Sequence, residues 1–430
     1  MTAVSVRTAF LGQFDQPSWA ERADPVGHAM HVAAVIAWGV SQTISNAAEG
    51  ITWGILLAIT ILRLPKIWRC FGQPLGDGLW RMLAAWVAWT ALSVLWGPDF
   101  PPGEGPAAFH RWILTPLMLW PVMARPWIPL AAIAMGGVVQ MIVTIVMSKT
   151  DGGWHRYQGI LSPSRFTQLL WHVHCTAVLS VALVRALPWP AAPLGVVGIA
   201  VSGFVWYLSS SRMMLVATAM GSLVVAVRAR PRSRISAWRM AGIMAAVAAL
   251  IAGAVALTPA GTRLASIVRD ARSAEGVEQW ATAISADRYT LVRAATDIAL
   301  QSPFVGAGRG AFRAGLASWC TTHEASEPRI AKRLAVIRAA GLNDAHNVIF
   351  QNWADGGIPG AVLITVPIFW LGWRLWRQSA GSLEAAAALG LYMAILVGAF
   401  LQPITIKAPG AIIAVALAVS WSPRARAGSR

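Results

Sequence analysis

Charge is scarce in this 430-residue chain, at 12% of residues, where an ordinary soluble domain carries about 25%. Acidic residues are scarcest, 18 against 35 Lys and Arg. So little charge cannot cover a water-facing surface of this size, which excludes a soluble enzyme. Three cysteines (Cys70, Cys175 and Cys320) lie far apart with no CxxC, which argues against a disulfide framework and against a zinc or iron–sulfur site. No carboxylate falls at the centre of an apolar stretch. Placing one there costs about 3 kcal/mol, which proton and ion pumps accept, so an ion-coupled transporter is disfavoured. A DxD pair is missing, as is any His/Cys/carboxylate cluster at ligand spacing, and no metal or other cofactor is expected. The first 27 residues are polar and hold no apolar run of signal-peptide type.

What fills the chain instead is apolar sequence, 56% of residues, with 38 Gly and 25 Pro scattered through it. Membrane helices tolerate both residues better than soluble ones do, and a span needs roughly 20 apolar residues. About twelve stretches qualify, near 28–46, 50–64, 79–96, 111–124, 127–147, 166–187, 191–209, 212–228, 240–258, 357–376, 383–402 and 408–422. The expectation is an all-α, polytopic membrane protein. The formal charge of +17 then reads as topology and contact with anionic membrane lipids, with no nucleic-acid partner.

Positive charge orients the stretches. With a cytoplasmic amino terminus, the inner connections hold Arg63, Lys66, Arg69, Arg125, Arg185, a run from Arg228 to Arg239, Arg374 and Arg377. The opposite loops hold fewer cations: Arg111, Lys149, Arg156, Arg165, Arg212 and Lys407. Insertion bias does not account for these, which makes them candidates for binding. One connection is far longer than the rest: residues 259–344, with eleven Lys/Arg and eight Asp/Glu, too long for a passive loop. The chain therefore divides into spans one to nine (1–258), an external loop (259–344), and the last three spans with a cytoplasmic tail (345–430). Two amphipathic helices are predicted inside the loop. The first covers 287–300, with Leu291, Ala294, Ala295 and Ile298 on one stripe. The second covers 328–340, with Ile330, Leu334 and Ile337 on one stripe, suited to an anionic membrane surface or to packing on the bundle. Gly306-Ala-Gly308-Arg-Gly310 lacks the spacing of a nucleotide loop and reads as a tight turn.

Three positions carry chemistry. Ser211-Arg212 opens the eighth span from the outer face, and Arg288 begins the first loop helix. His346 lies among Asn343, Asp344 and Asn347, with Gln351 and Asp355 following at helical spacing. An unperturbed imidazole titrates near pH ~6.5 and can take a hydroxyl proton at neutral pH. His323, His172 and His174 read as local packing or polar contacts.

Ser211-Arg212 at the head of a span, Asp287-Arg288 followed by Pro303-Phe304-Val305-Gly306-Ala307-Gly308, and His346-Asn347-x-x-Phe350 running into Asp355-Gly356-Gly357-Ile358-Pro359-Gly360 resemble the O-antigen ligase and polymerase superfamily of membrane glycosyltransferases. The number of spans and the single large loop after the ninth resemble it too. Two positions depart from the family pattern: Asp355 where Glu is expected, and Gly356 where a bulkier residue is common. The resemblance implies an O-antigen ligase of the bacterial inner membrane, with its active site facing the periplasm. It would transfer polysaccharide from undecaprenyl diphosphate to lipid A–core oligosaccharide, with inversion and without metal. On that reading Arg212 and Arg288 bind the diphosphate through planar guanidinium groups, with Arg156 and Arg165 as further donors. His346 activates the acceptor hydroxyl, and Asn343 and Asn347 flank it as substrate-binding residues. The alternatives are an O-antigen polymerase, a protein O-oligosaccharyltransferase and, outside enzymes, a lipid-linked glycan flippase.

Overall fold

The computed structural model describes residues 19–42, 46–98, 110–150, 175, 177–182, 195, 197–202, 212–228, 242, 265, 268–274, 276–277, 279–281, 288–326, 334–335, 337, 345, 347–399 and 407–422. Among these residues every regular element is helical. In order the principal helices are α1 (Trp19–Ala23), α2 (Pro25–Ser41), α3 (Asn46–Ile67), α4 (Gly72–Gly76), α5 (Gly78–Leu92), α6 (His110–Leu119), α7 (Trp127–Thr150), α8 (Arg212–Arg228), α9 (Arg288–Gln301), α10 (Ala311–Ser326), α11 (Val348–Ser379), α12 (Leu383–Ala399) and α13 (Lys407–Trp421).

The few acidic residues serve largely to start helices and tie their ends. Asp24 caps α2, accepting from Gly27 N–H at 3.3 Å, with Pro25 at the first helical position. Asp77 caps α5, accepting from Leu79 and Trp80 N–H at 2.9 and 3.3 Å, and pairs with Arg374 at 2.7 Å. Asp24 also pairs with Arg63 at 3.1 Å and Lys66 at 3.2 Å. Burial alone would raise the Asp24 carboxyl, but the hydrogen bonds from Arg63, Lys66 and Gly27 outweigh it and hold it below the ordinary value of 3.8.

By length and apolarity three helical segments among the described residues can cross a membrane: Ala47–Gly76, Gly78–Leu95 and Val348–Ser379. A fourth is a broken pair, Arg111–Val122 and Trp127–Val139, bent by 117°, where Pro121 and Pro126 interrupt the helical ladder. Shorter apolar helices cover Ala217–Arg228, Leu383–Val397 and Gly410–Trp421. This is a multi-pass membrane protein. Of the expected stretches, 166–187, 191–209 and 240–258 fall mostly outside the described residues.

Lipid tails are as apolar as leucine, so helices in a membrane associate through close packing rather than hydrophobic exclusion. Small residues provide it here. A Cβ on Gly221 of α8 would stand 2.4 Å from the Gly390 carbonyl of α12, and one on Gly39 of α2 would stand 2.5 Å from Ala132 of α7. Around these contacts Trp38, Trp86, Leu83, Val178, Tyr392 and Ile412 form the bundle core.

Side-chain contacts sort the helix ends into two groups. One end joins Asp24 to Arg63 and Lys66, Glu21 to Arg125, Asp77 to Arg374, Trp127 to Glu384, and Arg228 to Ser379 and the Trp376 carbonyl. Ser422 reaches the Met123 carbonyl there, and Gln73 the Trp421 carbonyl. The described cations expected inside thus gather at one end. The opposite end holds the Arg111–Glu49 pair and a second, smaller core.

Candidate functional site

That second core belongs to the long loop. Leu291, Ala294, Ala295 and Ile298 of α9 pack with Phe312, Leu316, Trp319 and Cys320 of α10, and both meet Ala345, Ala354, Phe350 and Trp353 around the start of α11. The stripe expected on α9 is therefore buried as a unit. Leu334 and Ile337, also in this cluster, turn toward protein. The remainder of the expected 328–340 helix lies outside the described residues apart from residue 335.

The two cores meet at a break in α11. Gly357 adopts φ 65° and ψ −165°, a backbone that side-chain-bearing residues avoid. In an unbroken helix Ile358 N–H would bond the Ala354 carbonyl, and Pro359 has no N–H to offer Asp355. The turn after α9 supplies what the break removes: Ala307 N–H donates to the Ala354 carbonyl and Gly308 N–H to the Asp355 carbonyl, both at 3.0 Å. Ile358 N–H turns instead to the Pro303 carbonyl at 2.9 Å, and Trp89 Nε1 donates to the Gly356 carbonyl at 2.7 Å. Arg309 N–H reaches the Ser93 carbonyl at 3.1 Å. Buried carbonyls left by the break are thus satisfied from a neighbouring segment.

Glycine is required for so close an approach. Gly306, Gly308 and Gly310 all have positive φ, at 76°, 93° and 87°. A Cβ on Gly306 would lie 2.4 Å from Gly357 N, and one on Gly308 2.2 Å from Gly97 Cα. The Gly306–Gly310 segment is a tight turn docked onto the bundle, as its spacing predicts.

Asp355, 3% exposed, gathers this region. Its Oδ1 accepts from Phe312 N–H at 3.1 Å, at the start of α10, while Oδ2 accepts from Gln351 Nε2 at 3.1 Å and pairs with Arg309 at 3.4 Å. Gln351 Oε1 in turn accepts from Ala345 N–H at 2.7 Å. Asn347 caps α11, its side chain accepting from Ile349 and Phe350 N–H at 3.0 and 3.3 Å. Trp86 Nε1 donates to Asn352 Oδ1 at 2.8 Å, which seats the first turns of α11 against α5.

The expected site residues distribute as follows. Arg288 is the first residue of α9 and half-buried. Arg212 is the first residue of α8. Arg228, at the far end of α8, binds the cation-rich end of the bundle, so Arg212 lies about 24 Å along the axis toward the other end. Arg212, Arg288 and Asn347 thus belong to one end of the molecule. His346, Asn343, Arg156 and Arg165 lie outside the described residues, as do His172 and His174. His323 makes local contacts, bonding the Trp319 carbonyl at 2.8 Å and stacking on that ring.

Sequence reasoning noted Gln351 and Asp355 for their helical spacing but did not join them to Arg309. The signal was Gly356-Gly357 directly after Asp355, which marks a helix break whose carbonyls need outside donors.

Residues 197–365 match the family model described as O-antigen ligase. No curated protein matches the chain. The family contains glycosyltransferase-like ligases and polymerases, so the comparison supports a transferase acting on lipid-linked glycans. The matched segment runs from before Arg212 through Arg288, the glycine turn and the break in α11.

Proposed function

We propose that the protein is an O-antigen ligase of the bacterial inner membrane. It transfers polysaccharide from undecaprenyl diphosphate to lipid A–core oligosaccharide at the periplasmic face. The cation-rich end faces the cytoplasm, and the loop 259–344 faces the periplasm between the spans of 1–258 and those of 345–430. The observation that carries this reading is the gathering of the head of α8, the head of α9 and the start of α11 at the end opposite Arg63, Arg125, Arg228 and Arg374. Insertion bias explains cations on the second end and not on the first.

The chemistry follows from the residue types. A lipid diphosphate departs with its own negative charge, so its departure needs cations rather than a proton. Arg212 and Arg288 bind its oxygens through paired N–H groups, with Arg156 and Arg165 adding charge. His346 takes the proton from the acceptor hydroxyl, which attacks the anomeric carbon. Asn343 and Asn347 flank that histidine. One displacement inverts the configuration, and arginine stabilisation of the leaving group needs no metal.

A polymerase uses the same donor but needs a second diphosphate-linked glycan as acceptor. Of the described cations at this end, Arg111 is taken by Glu49 and Arg309 by Asp355, which leaves fewer for a second diphosphate and favours the ligase. Cells lacking the protein should display lipopolysaccharide without polymer and accumulate long lipid-linked polymer. Purified protein should move that polymer onto lipid A–core without nucleotide. Core capped by a single repeat unit in the knockout would replace the ligase by a polymerase.

A further inference from the structure

We propose that Gln351, held by Asp355, is a positioning residue for His346; this rests on the ligase reading, in which His346 activates the acceptor. Both neighbours of position 346 are tied down. Ala345 is fully buried with its N–H on Gln351 Oε1 at 2.7 Å, and Asn347 is fixed by its two capping bonds. The Gln351 amide has one satisfactory orientation, because Oε1 faces an N–H donor while Nε2 faces the Asp355 carboxylate at 3.1 Å. Asp355 is itself anchored by Phe312 N–H and Arg309. A relay of hydrogen bonds therefore runs from the glycine turn, through Asp355 and Gln351, to the N–H of Ala345, the residue before His346.

A helix cap alone does not need this relay. Asn347 already serves the first N–H groups of α11, and Gln351 reaches back past the helix start to Ala345. What the relay adds is a fixed Ala345, the residue that leads into position 346. General-base catalysis is sensitive to such placement, and a shift of about 1 Å can cost on the order of 10²-fold in rate.

The test uses the purified full-length protein with lipid-linked polymer as donor and lipid A–core as acceptor. Gln351→Met keeps length and removes both hydrogen bonds. Its turnover should fall at least ~10-fold with the donor KM and the folded fraction unchanged. Gln351→Glu keeps an acceptor for Ala345 N–H but sets a second carboxylate against Asp355, with Arg309 the cation facing the pair. Protonating the introduced carboxyl restores the donor, so the ratio of variant to wild-type rate should climb as pH falls. A cap without positioning effect would change the melting temperature and leave both readouts flat.

His346→Ala is run in the same assay. If it is inactive while Gln351→Met turns over like wild type, the positioning role is overturned and the ligase reading stands. If His346→Ala keeps wild-type turnover, that reading falls and this inference with it. Should Gln351→Met fail to fold, the pH ratio of Gln351→Glu decides alone, and a flat ratio overturns the proposal.

Discussion

Gly308→Ala adds one methyl group at the tightest point of the joint between loop and bundle. Gly308 has φ 93°, and a Cβ there would stand 2.2 Å from Gly97 Cα and 2.4 Å from Gly97 N. Both obstacles are backbone atoms, so no side chain can swing away. Alanine in left-handed backbone costs about 1–2 kcal/mol, and overpacking against a rigid neighbour costs about 1–3 kcal/mol more. The expected loss is about 3 kcal/mol. Gly54→Ala in α3 is the matched control, since nothing lies within 4 Å of a Cβ there. That change should stabilise by about 0.5–1 kcal/mol, by removing chain entropy and raising helix propensity. Thermal unfolding of the detergent-solubilised protein, followed by tryptophan emission, reads both variants. Trp89 and Trp96, packed edge to face at 5.8 Å beside the joint, report on the region directly. If Gly308→Ala melts with wild type or above it, the close approach to Gly97 is not a constraint and the argument for the turn fails.

Arg288→Lys keeps charge but not the two-pronged geometry, so donor binding should weaken, and Arg288→Ala should weaken it further, by about 10–100-fold on the scale of a charge-assisted hydrogen bond. Equal donor affinity in all three proteins would make Arg288 structural. Asp24→Asn removes the ion pairs to Arg63 and Lys66 and should cost about 2 kcal/mol at neutral pH. Because Asp24 titrates below 3.8 when folded, its contribution is present above the ordinary carboxylate range and is lost as pH falls through the lowered value. The difference in melting temperature between wild type and Asp24→Asn should therefore shrink on acidification, and a constant difference would contradict the assigned pairing.

Much of the fold was legible in the sequence because apolar runs and caps are local signals. The stretch 212–228 coincides with α8, and the loop helix 287–300 lies within one residue of α9 at each end. The stretch 357–376 begins at the break in α11, since Gly357 is where the helix leaves the loop core and joins the bundle core. Its first turns, from Val348, escaped because their apolar residues Phe350, Trp353 and Ala354 pack against the loop and form no membrane-length run. Helix α10 was missed although Phe312, Leu316, Trp319 and Cys320 follow helical spacing, because its other positions are polar or small. In the candidate site, Arg212, Arg288 and Asn347 announce themselves by position along the chain. Asp355 with Arg309 does not, because that pairing depends on a turn that returns across 46 residues to meet the break.

The joint between loop and bundle is written almost wholly in main-chain atoms: Ala307, Gly308, Arg309 and Ile358 contribute N–H groups, and Pro303, Ala354, Asp355 and Ser93 contribute carbonyls. Apart from Arg309, which pairs with Asp355, side chains displayed on the turn are spared from holding it together. Phe304 and Val305, 74% and 50% exposed, can be exchanged without disturbing the hydrogen bonds beneath them. Substitution there can therefore change the exposed surface of the turn while the main-chain joint beneath keeps its shape.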